Sequence, residues 1–470
     1  MGIYNRVNSS SNSTSHKHNE SNRLHTELTI SRLVALIDIK INNQLNTIIH
    51  EPRFQQLESS WRGVKQLTDA ANMLEKIRIR LFDISWKELS RDIERASYIE
   101  QCRLFELVYS EEFDSPGGEP YTILLGDYSV SHQPSKEHPY DDIHTLQGIS
   151  QVAAAAFSPF ICGASPKLFG LNTFDTLEAS INLTQIFEQP EYLRWRAMRE
   201  RDDTRFIGVT LPGILMRKPY RTQFSEYRGL RFKEDCNGPT SKNYLWGNAS
   251  YAFGTVLIRA FIDIGWFSHL RGSPRDEEAG GLVSQFPVSF HETDSTPTVN
   301  KPLTPVVITD YTERELSDLG FLSLCHAQNT PYAIFQNCVS LQHVKDMGRK
   351  SLNANARISA MLQQILCASR FAQYIKVMIR DKVGAYIGPR DCERQIQQWL
   401  NKYSTGRDDL DWDTKARYPL RDSRVKVVEE PGKPGSYQSI IHLRTHYTAD
   451  NLISELKLTT ALTQIGNGNP

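Results

Sequence analysis

Hydrophobic residues recur at intervals of three or four positions near the N-terminus of the chain. They are Ile30, Leu33, Val34, Ile37, Ile41, Leu45 and Ile48. This spacing places them on one face of an α-helix, so we predict a helix over residues 27–49 with Thr26 as its N-cap. A second stripe of the same period follows the break at Pro52 and consists of Phe54, Leu57, Trp61, Val64, Leu67, Ala71 and Leu74. We predict an antiparallel helix pair, with the second stripe in the protein core.

The period of the hydrophobic pattern changes to two at Ile77, Ile79 and Leu81, which predicts a strand. Short apolar runs predict further strands at residues 121–126, 160–162, 206–211, 305–309 and 332–335. Helical signals lie between them: a capping box at residues 85–88, and helices over residues 142–157, 354–382 and 391–403. Strands that alternate with helices indicate a mixed α/β core.

The C-terminal segment has a strand-like pattern throughout. Strands are predicted at residues 425–428, 437–447 and 453–458, with a turn at residues 429–435. One face of the second strand carries Tyr437, Ser439, Ile441, Leu443, Thr445 and Tyr447. A hairpin exposed at the end of a chain needs a cover, because its unpaired edge invites pairing with another strand.

The composition changes along the chain in a way that suggests domains. Residues 1–25 are polar and rich in serine and asparagine, so we predict a disordered tail there. Residues 26–350 form the predicted N-terminal region, with a helical part at 26–110 and a mixed α/β part at about 115–340. Residues 351–470 form the predicted C-terminal domain. The expected fold class is therefore a mixture of α/β and α+β.

Arginine and aromatic residues are concentrated in residues 190–220. Pro190 is placed to begin a helix, and a strand follows it and ends at Pro212. The helix and its end carry Arg194, Arg196, Arg199 and Arg201 beside Glu191, Glu200, Asp202 and Asp203. Guanidinium groups at this density beside carboxylates predict a buried or interfacial salt-bridge network. The equal number of acids argues against the alternative, a site for an anionic ligand.

Bulk properties exclude several classes of protein. The chain has 470 residues and a formal net charge of +0, whereas nucleic-acid-binding proteins usually carry a basic domain or stripe. No apolar run approaches the roughly 18 residues of a membrane span, so no membrane insertion is expected. The 7 cysteines contain no C-x-x-C pair. We therefore expect reduced, mostly buried thiols rather than a zinc ribbon or a disulfide framework.

The sequence contains few residues arranged for chemistry. It has no phosphate-binding loop, no GxGxxG, no HExxH and no GxSxG motif. Asp141, Asp142 and His144 could supply metal ligands, but acids at this position more simply begin a helix. Cys325 and His326 could form a nucleophile–base pair, but neighbours on a strand point to opposite faces. We therefore expect no cofactor and no metal, and an enzyme using these residues is the weakest hypothesis.

Several blocks of the sequence resemble the large subunit of the type VI secretion contractile sheath, the TssC/VipB family. Besides residues 190–220, they are residues 54–63 (FQQLESSWRG), 117–120 (GGEP), 126–128 (GDY), 165–170 (SPKLFG), 192–196 (YLRWR), 244–248 (YLWGN), 370–377 (RFAQYIKV) and 418–421 (YPLR). These blocks keep their order across most of the chain, so the chain is identified as a member of this family.

The resemblance implies a phage-tail-sheath-like core with terminal helices, and C-terminal strands that contribute to an intermolecular β-sheet. It also implies a small sheath subunit of the TssB/VipA type as partner. The heterodimers would stack as hexameric rings into a helical tube around an inner tube protein. The tube would grow from a baseplate in the bacterial cytoplasm and contract to propel the inner tube into a target cell.

The resemblance also assigns roles to residues of this chain. The intermolecular sheet would include Val425, Val427, Tyr437, Ser439, Ile441, Leu443, Thr445 and Tyr447. The small subunit would contact Leu33, Ile37, Ile41, Leu45 and Trp61. The arginines named above, Arg194, Arg196, Arg199 and Arg201, would form salt bridges within or between protomers.

Two alternatives and one departure from the family pattern accompany this interpretation. The alternatives are a self-assembling sheath of a phage tail or extracellular injection particle, and a divergent sheath paralogue. Family members usually carry an N-terminal amphipathic helix that a hexameric AAA+ unfoldase recognises. Residues 1–25 show no amphipathic pattern, so we expect the unfoldase to bind this chain poorly.

Overall fold

The computed structural model of the chain describes residues 8–71, 77–115, 117–136, 138–179, 181–220, 230, 232–236, 243–273, 278–293, 296–327, 330–345, 348–381, 389–407, 410–429, 437–449 and 452–462. The chain divides into two units. The smaller unit comprises residues 1–58 and 218–245, and the larger unit comprises residues 59–217 and 246–470.

The α-helices and β-strands follow one another along the whole chain. The helices are α1 (Asn8–Ile49), α2 (Pro52–Ala71), α3 (Trp86–Arg95), α4 (Arg103–Phe105), α5 (Asp142–Ala156), α6 (Leu183–Glu188), α7 (Leu193–Arg199), α8 (Ala249–Ile264), α9 (Asp310–Asp318), α10 (Lys350–Ser359), α11 (Leu362–Arg380), α12 (Pro389–Asn401) and α13 (Trp412–Arg417). The strands are β1 (Leu124–Val130), β2 (Phe160–Ala164), β3 (Ile207–Leu211), β4 (Ile214–Leu215), β5 (Trp246–Gly247), β6 (Leu282–Val283), β7 (Phe290–Thr293), β8 (Thr296–Asn300), β9 (Phe321–His326), β10 (Ala333–Phe335), β11 (Leu420–Glu429), β12 (Tyr437–Ala449) and β13 (Leu452–Leu462).

Helix α1 begins at Asn8 and therefore includes most of the segment predicted as a disordered tail, whose residues 1–7 lie outside the described residues. No proline or glycine occurs in residues 3–51 to interrupt a helix. Thr26, the predicted N-cap, lies inside the helix, where its hydroxyl donates to the carbonyl one turn earlier at 2.8 Å. The predicted start of the helix is wrong, whereas its end at Ile49 and the break before Pro52 are confirmed.

The larger unit is built on a six-stranded sheet with the strand order β1-β2-β3-β9-β10-β6. The first four strands are parallel, and β10 is antiparallel to both of its neighbours. All residues of β2 and β3 are buried, as expected for parallel strands that are covered on both faces. Helix α8 packs across β1, β2 and β3, and α5 lies against β2. The prediction of a mixed α/β core is confirmed.

Residues 77–82 form no strand and pair with no strand among the residues that the structure describes. Side-chain contacts hold this segment instead: Arg80 donates to a carboxylate oxygen of Glu112 at 2.6 Å and to the hydroxyl of Tyr121 at 3.1 Å. The predicted strand is wrong, because an alternating pattern indicates an extended backbone but does not provide a neighbouring strand.

Three other elements differ from the prediction. The first sheet strand covers Leu124–Val130 rather than residues 121–126. Residues 305–309 form no strand; they lead into α9, of which Thr309 is the N-cap. The helix predicted over residues 354–382 is divided into α10 and α11. At the division, the hydroxyl of Ser340 donates to the carbonyl of Ala360 at 2.5 Å, which satisfies an acceptor that the end of α10 exposes.

The C-terminal strands form a three-stranded antiparallel sheet with the order β11-β12-β13. The three predicted strands are confirmed, whereas residues 430–436, which contain nearly all of the predicted turn, lie outside the described residues. Val425, Ile441, Leu443 and Thr445 are buried, and the Thr445 hydroxyl donates to Gln364 of α11 at 2.8 Å. One face of this sheet therefore belongs to the core of the larger unit.

Two expectations from composition can be compared with the structure. Five of the cysteines, Cys102, Cys162, Cys325, Cys338 and Cys367, are buried, so the prediction of mostly buried thiols is confirmed. Across the described parts of the chain, no helix combines the length and the apolar character needed to cross a membrane.

Gly63 of α2 provides a test of the packing between α2 and α8. A Cβ atom at this position would lie 2.5 Å from Cδ2 of the buried Tyr251. We expect Gly63→Ala to lower the free energy of unfolding by about 1–2 kcal/mol, because overpacking outweighs the gain in helix propensity. The measurement is urea unfolding of the full-length chain followed by tryptophan fluorescence. Gly406→Ala is the control, since a Cβ there meets no atom within 4 Å; equal losses in both variants would contradict the packing argument.

Candidate assembly site

The arginine-rich segment runs into the middle of the six-stranded sheet. Pro190–Tyr192 forms a 3₁₀ turn that leads into α7, and β3 follows, so the predicted helix and strand are confirmed. Trp195 is fully buried, and its ring stacks on that of Phe321 with the ring centroids 6.4 Å apart. The aromatic residues of the segment therefore anchor it in the core, and the arginines lie around this anchor.

Arg194 forms an ion pair with Asp141, the N-cap of α5. Its Nη2 atom lies 2.5 Å from Oδ2 of Asp141, while Oδ1 accepts from the backbone N–H of His144 at 3.2 Å. Burial alone would raise the pKa of Asp141, but the hydrogen bonds and the charge of Arg194 outweigh it and lower the pKa. Since most of the Arg194 side chain is exposed, the pair orients the start of α5 and adds little stability.

Arg199 is buried and binds backbone carbonyl groups. Its Nε donates to the carbonyl of Leu341 at 3.0 Å and its Nη2 to that of Asp318 at 3.2 Å. Burial lowers the pKa of Arg199 to about 10. Asp318 is the last residue of α9, where the negative end of the helix dipole favours a cation. Arg199 therefore links α7 to the end of α9 within one chain.

The other two arginines of the predicted network are less constrained. Arg201 Nη2 lies 3.7 Å from a carboxylate oxygen of Asp203 in an exposed pair, which contributes little to stability. Arg196 is half-buried and forms no salt bridge with the residues that the structure describes. Within a single chain, the four arginines thus make separate contacts rather than one network.

Asp142 follows Asp141, the partner of Arg194, and has a structural role. Its Oδ1 accepts from Trp86 Nε1 at 2.7 Å and lies 2.6 Å from His138 Nε2, and its Oδ2 accepts from the N–H of Ser131 at 2.8 Å. A carboxylate with this many donors has little capacity left for a metal ion. The acids at the start of α5 therefore fix local structure, as the simpler of the two interpretations predicted.

The second candidate for chemistry, Cys325 with His326, lies on β9 in the sheet. Burial raises the pKa of the Cys325 thiol to about 12, and burial also lowers the pKa of His326. At neutral pH the thiol is protonated and the imidazole is neutral, so neither the thiolate nor an imidazolium partner is present. Cys325 and His326 are consecutive residues of β9, which agrees with the expectation that their side chains face opposite sides of the sheet.

Side chains of α12 bind the outer edge of the C-terminal sheet at β11. The central strand β12 pairs with β11 on one side and β13 on the other. On the outer edge of β11, the N–H of Val425 donates to Gln397 at 3.1 Å and that of Val427 donates to Glu393 at 3.1 Å. Side chains of α12 thus accept hydrogen bonds from these main-chain N–H groups. Sequence analysis missed Glu393 and Gln397, although their spacing of four residues places them on one face of a helix.

The predicted contact residues on α1 are exposed in the smaller unit. Leu33 and Ile37 are 54% and 56% exposed, and Ile41 is 38% exposed, whereas Leu45 is half-buried. Trp61, in the larger unit, is also exposed. Further exposed hydrophobic residues of α1 lie off the predicted stripe, namely Leu28, Leu36 and Ile39. A helix with apolar side chains on several faces normally has neighbours on several sides.

Comparisons with known proteins agree with these features. Residues 31–342 match the sequence profile described as "EvpB/VC_A0108, tail sheath N-terminal domain", and residues 351–462 match that described as "EvpB/VC_A0108, tail sheath gpW/gp25-like domain". The chain is also 35% identical over 436 residues to the Type VI secretion system sheath protein TssC1 of Pseudomonas aeruginosa. This similarity covers 92% of the chain and 86% of the relative.

The resemblance found in the sequence blocks is confirmed by these matches, which together extend over nearly all of the described residues. Of the features described above, the exposed apolar helix α1 is typical of a protein that assembles with other subunits. The chain therefore belongs to the EvpB/VC_A0108 family of tail sheath proteins and is a subunit of the contractile sheath of a type VI secretion system.

Proposed function

We propose that this chain pairs with a small sheath subunit of the TssB/VipA type. The heterodimers stack as hexameric rings into a helical tube around an inner tube protein, growing from a baseplate in the bacterial cytoplasm. The observation that carries this proposal is the exposed apolar surface of α1, a helix of 42 residues. Monomeric proteins rarely expose contiguous apolar patches beyond about 300–600 Å², so a surface of this kind favours burial against a partner.

The small subunit is assigned to the apolar face of α1 that carries Leu33, Ile37, Ile41 and Leu45. A separate contact with it is assigned to Trp61 in the larger unit. Burying a large aliphatic side chain stabilises a contact by roughly 1.5–3 kcal/mol. Several such side chains on one helix are sufficient for a stable complex even after the entropic cost of association.

A neighbouring protomer is assigned to the outer edge of β13. Because β12 is paired on both sides and side chains of α12 accept hydrogen bonds from N–H groups of β11, we assign the added strand to β13, which also packs against α10. The buried face of the C-terminal sheet attaches it to the core of the same chain through Val425, Ile441, Leu443 and Thr445. The backbones of Tyr437, Ser439 and Tyr447 lie in β12. Main-chain pairing of this kind gives affinity that depends little on side chains.

Contraction then follows from a difference in free energy between two lattices. The extended sheath is metastable, and a few kcal/mol of difference per protomer is enough for a long polymer to contract cooperatively. No bound nucleotide is required in this chain. Recycling through residues 1–25 is not part of the proposal, because Leu24 is the only aliphatic residue in residues 8–25 and a helix there lacks an apolar face.

A sheath that assembles without a small partner is the second candidate, and the divergent paralogue is a variant of the first. The similarity to a sheath protein of a type VI system favours a sheath with a partner. Electron microscopy of the full-length chain, expressed alone and with the small sheath subunit encoded beside it, distinguishes the two candidates. We expect aggregates from the chain alone and regular tubules from the pair; tubules from the chain alone would support the second candidate.

The assignment of β13 predicts the effect of a C-terminal truncation. Removing residues 437–470 abolishes tubules, but it also removes the core residues Ile441 and Leu443. Removing only residues 452–470 deletes β13 and leaves the buried part of β12 in place, so we expect soluble heterodimers without tubules. The control ends at Leu462 and keeps all three strands. Tubules from the chain that lacks β13 would refute the assigned edge.

The apolar face of α1 can be tested independently of tube formation. We expect Ile37→Glu to weaken co-purification with the small subunit by at least tenfold, because it places a charge in an apolar contact. Asn43→Glu, at an exposed position about 120° around the same helix from Ile37, serves as the control. Equal co-purification of the two variants would show that this face of α1 does not bind the small subunit.

A further inference from the structure

A cluster of potential metal ligands lies in the smaller unit at the C-terminal end of α1. His50, Glu234 and Cys236 each contribute one donor atom, and these atoms all lie within 4.8 Å of one another. The closest pair is His50 Nε2 and Glu234 Oε1, which are 3.2 Å apart. No sequence motif reveals the cluster, because 184 residues separate His50 from Glu234.

The side chain of Asn46 in α1 forms hydrogen bonds with the main chain of the segment that carries Glu234 and Cys236. Asn46 donates to the carbonyl of the residue before Glu234 at 3.3 Å and accepts from the N–H of the residue after it at 2.9 Å. The N–H of His50 donates to the carbonyl of Asn46 at 3.0 Å, so the helical geometry of α1 extends to His50. The N–H of Cys236 donates to the carbonyl of Glu234 at 3.1 Å, a tight turn that keeps these two residues close together. This turn and the Asn46 side chain thus hold the three side chains near one another.

The burial of Glu234 makes a cation at this position favourable. Its side chain is 0% exposed, and the N–H of Tyr220 donates to its Oε2 at 2.7 Å, which directs Oε1 towards His50. A buried carboxylate is unfavourable unless positive charge and hydrogen bonds compensate it. A protonated imidazole would supply that charge but would not involve the neighbouring thiol. A divalent cation would use all three side chains.

We propose that His50, Glu234 and Cys236 bind Zn²⁺ as a structural ion that ties residues 234–236 to the end of α1. Tetrahedral zinc with bonds of about 2.0–2.3 Å places its ligand atoms roughly 3.3–3.6 Å apart. The 3.2 Å between His50 Nε2 and Glu234 Oε1 is close to this separation, and the Cys236 sulfur, which lies within 4.8 Å of both atoms, has to move closer when zinc binds. Zinc accepts mixed nitrogen, oxygen and sulfur ligands, whereas calcium and magnesium prefer oxygen alone. One carboxylate and one thiolate neutralise the ion, and a water molecule fills the fourth position.

Zinc binding has a defined proton balance. The Cys236 thiol donates to the carbonyl of Asn243 at 3.4 Å. Formation of the zinc–sulfur bond breaks this hydrogen bond and releases the thiol proton to solvent, while His50 binds as the neutral imidazole.

The test uses the full-length chain, either soluble or as tubules, after treatment with a chelator and reloading with Zn²⁺. We expect close to one zinc per chain by mass spectrometry of the washed protein. Reloading with Co²⁺ in place of zinc should give the thiolate-to-cobalt charge-transfer band and the intense visible bands of tetrahedral cobalt. A wild-type chain that retains no zinc, or that binds cobalt without the charge-transfer band, would overturn the proposal.

Two substitutions test the ligands individually. Cys236→Ala should abolish the charge-transfer band and lower zinc affinity by more than about tenfold, since even residues that only orient ligands change affinity by about 10–100-fold. His50→Gln should lower the affinity to a similar extent. Cys392→Ala is the matched control, because Cys392 is also half-buried but lies elsewhere in the chain. Unchanged zinc binding in Cys236→Ala, or equal losses in Cys236→Ala and Cys392→Ala, would refute the assignment.

Discussion

Burial of β3 between two parallel neighbours is the constraint on which the larger unit depends. Its residues Ile207–Leu211 are all buried, and β2 and β9 pair with it on its two sides. Any group that packs near this strand must be apolar or must bring hydrogen-bond partners of its own. Phe321 satisfies the first condition. Arg199 satisfies the second, because its guanidinium donates to two carbonyl groups. Packing beside a buried sheet thus explains the buried Arg199 and the aromatic residues of this segment, whereas Arg194 and Arg201 lie at the surface.

The same constraint acts at the edges of the C-terminal sheet. An unpaired strand edge needs partners for its N–H groups, and Gln397 and Glu393 supply acceptors for Val425 and Val427. Each such hydrogen bond contributes only about 0.5–1.5 kcal/mol net. Helices also pack against both outer strands of this sheet, α12 against β11 and α10 against β13. The hydrogen bonds from β11 to α12 distinguish the two edges and are the reason that the proposed added strand is placed at β13.

The sequence predicted those parts of the fold that depend on local hydrogen bonds or on a single buried face of a helix or strand. The capping box at Ser85 forms as expected, and β12 has the predicted span with Ile441 and Leu443 buried on one face. Prediction failed where a distant residue decides the local structure. The segment around Arg80 is held by side-chain contacts to Glu112 and not by strand pairing. The division between α10 and α11 contains no proline or glycine, and the hydrogen bond from Ser340 helps to stabilise it.

Predicting the candidate site was limited for the same reason. The four arginines were recognisable as polar residues that need partners, but the carbonyl groups that Arg199 binds lie more than a hundred residues away. The acceptors on α12 and the cluster around His50 also combine segments that are distant in sequence. Periodicity identifies faces of helices and strands, and it does not identify which faces meet.

In the proposed sheath, the two ends of the chain interact with their neighbours by different physics. Apolar contact through α1 is roughly proportional to the area buried and has little directionality, so it tolerates small changes of angle. Strand addition at β13 is directional, and a shift of one residue would reverse every side chain. A lattice that changes its geometry needs some contacts between subunits that keep a fixed register and other contacts that can change their angle. The C-terminal sheet suits the first requirement, because its buried face is fixed to the core, and the exposed face of α1 suits the second.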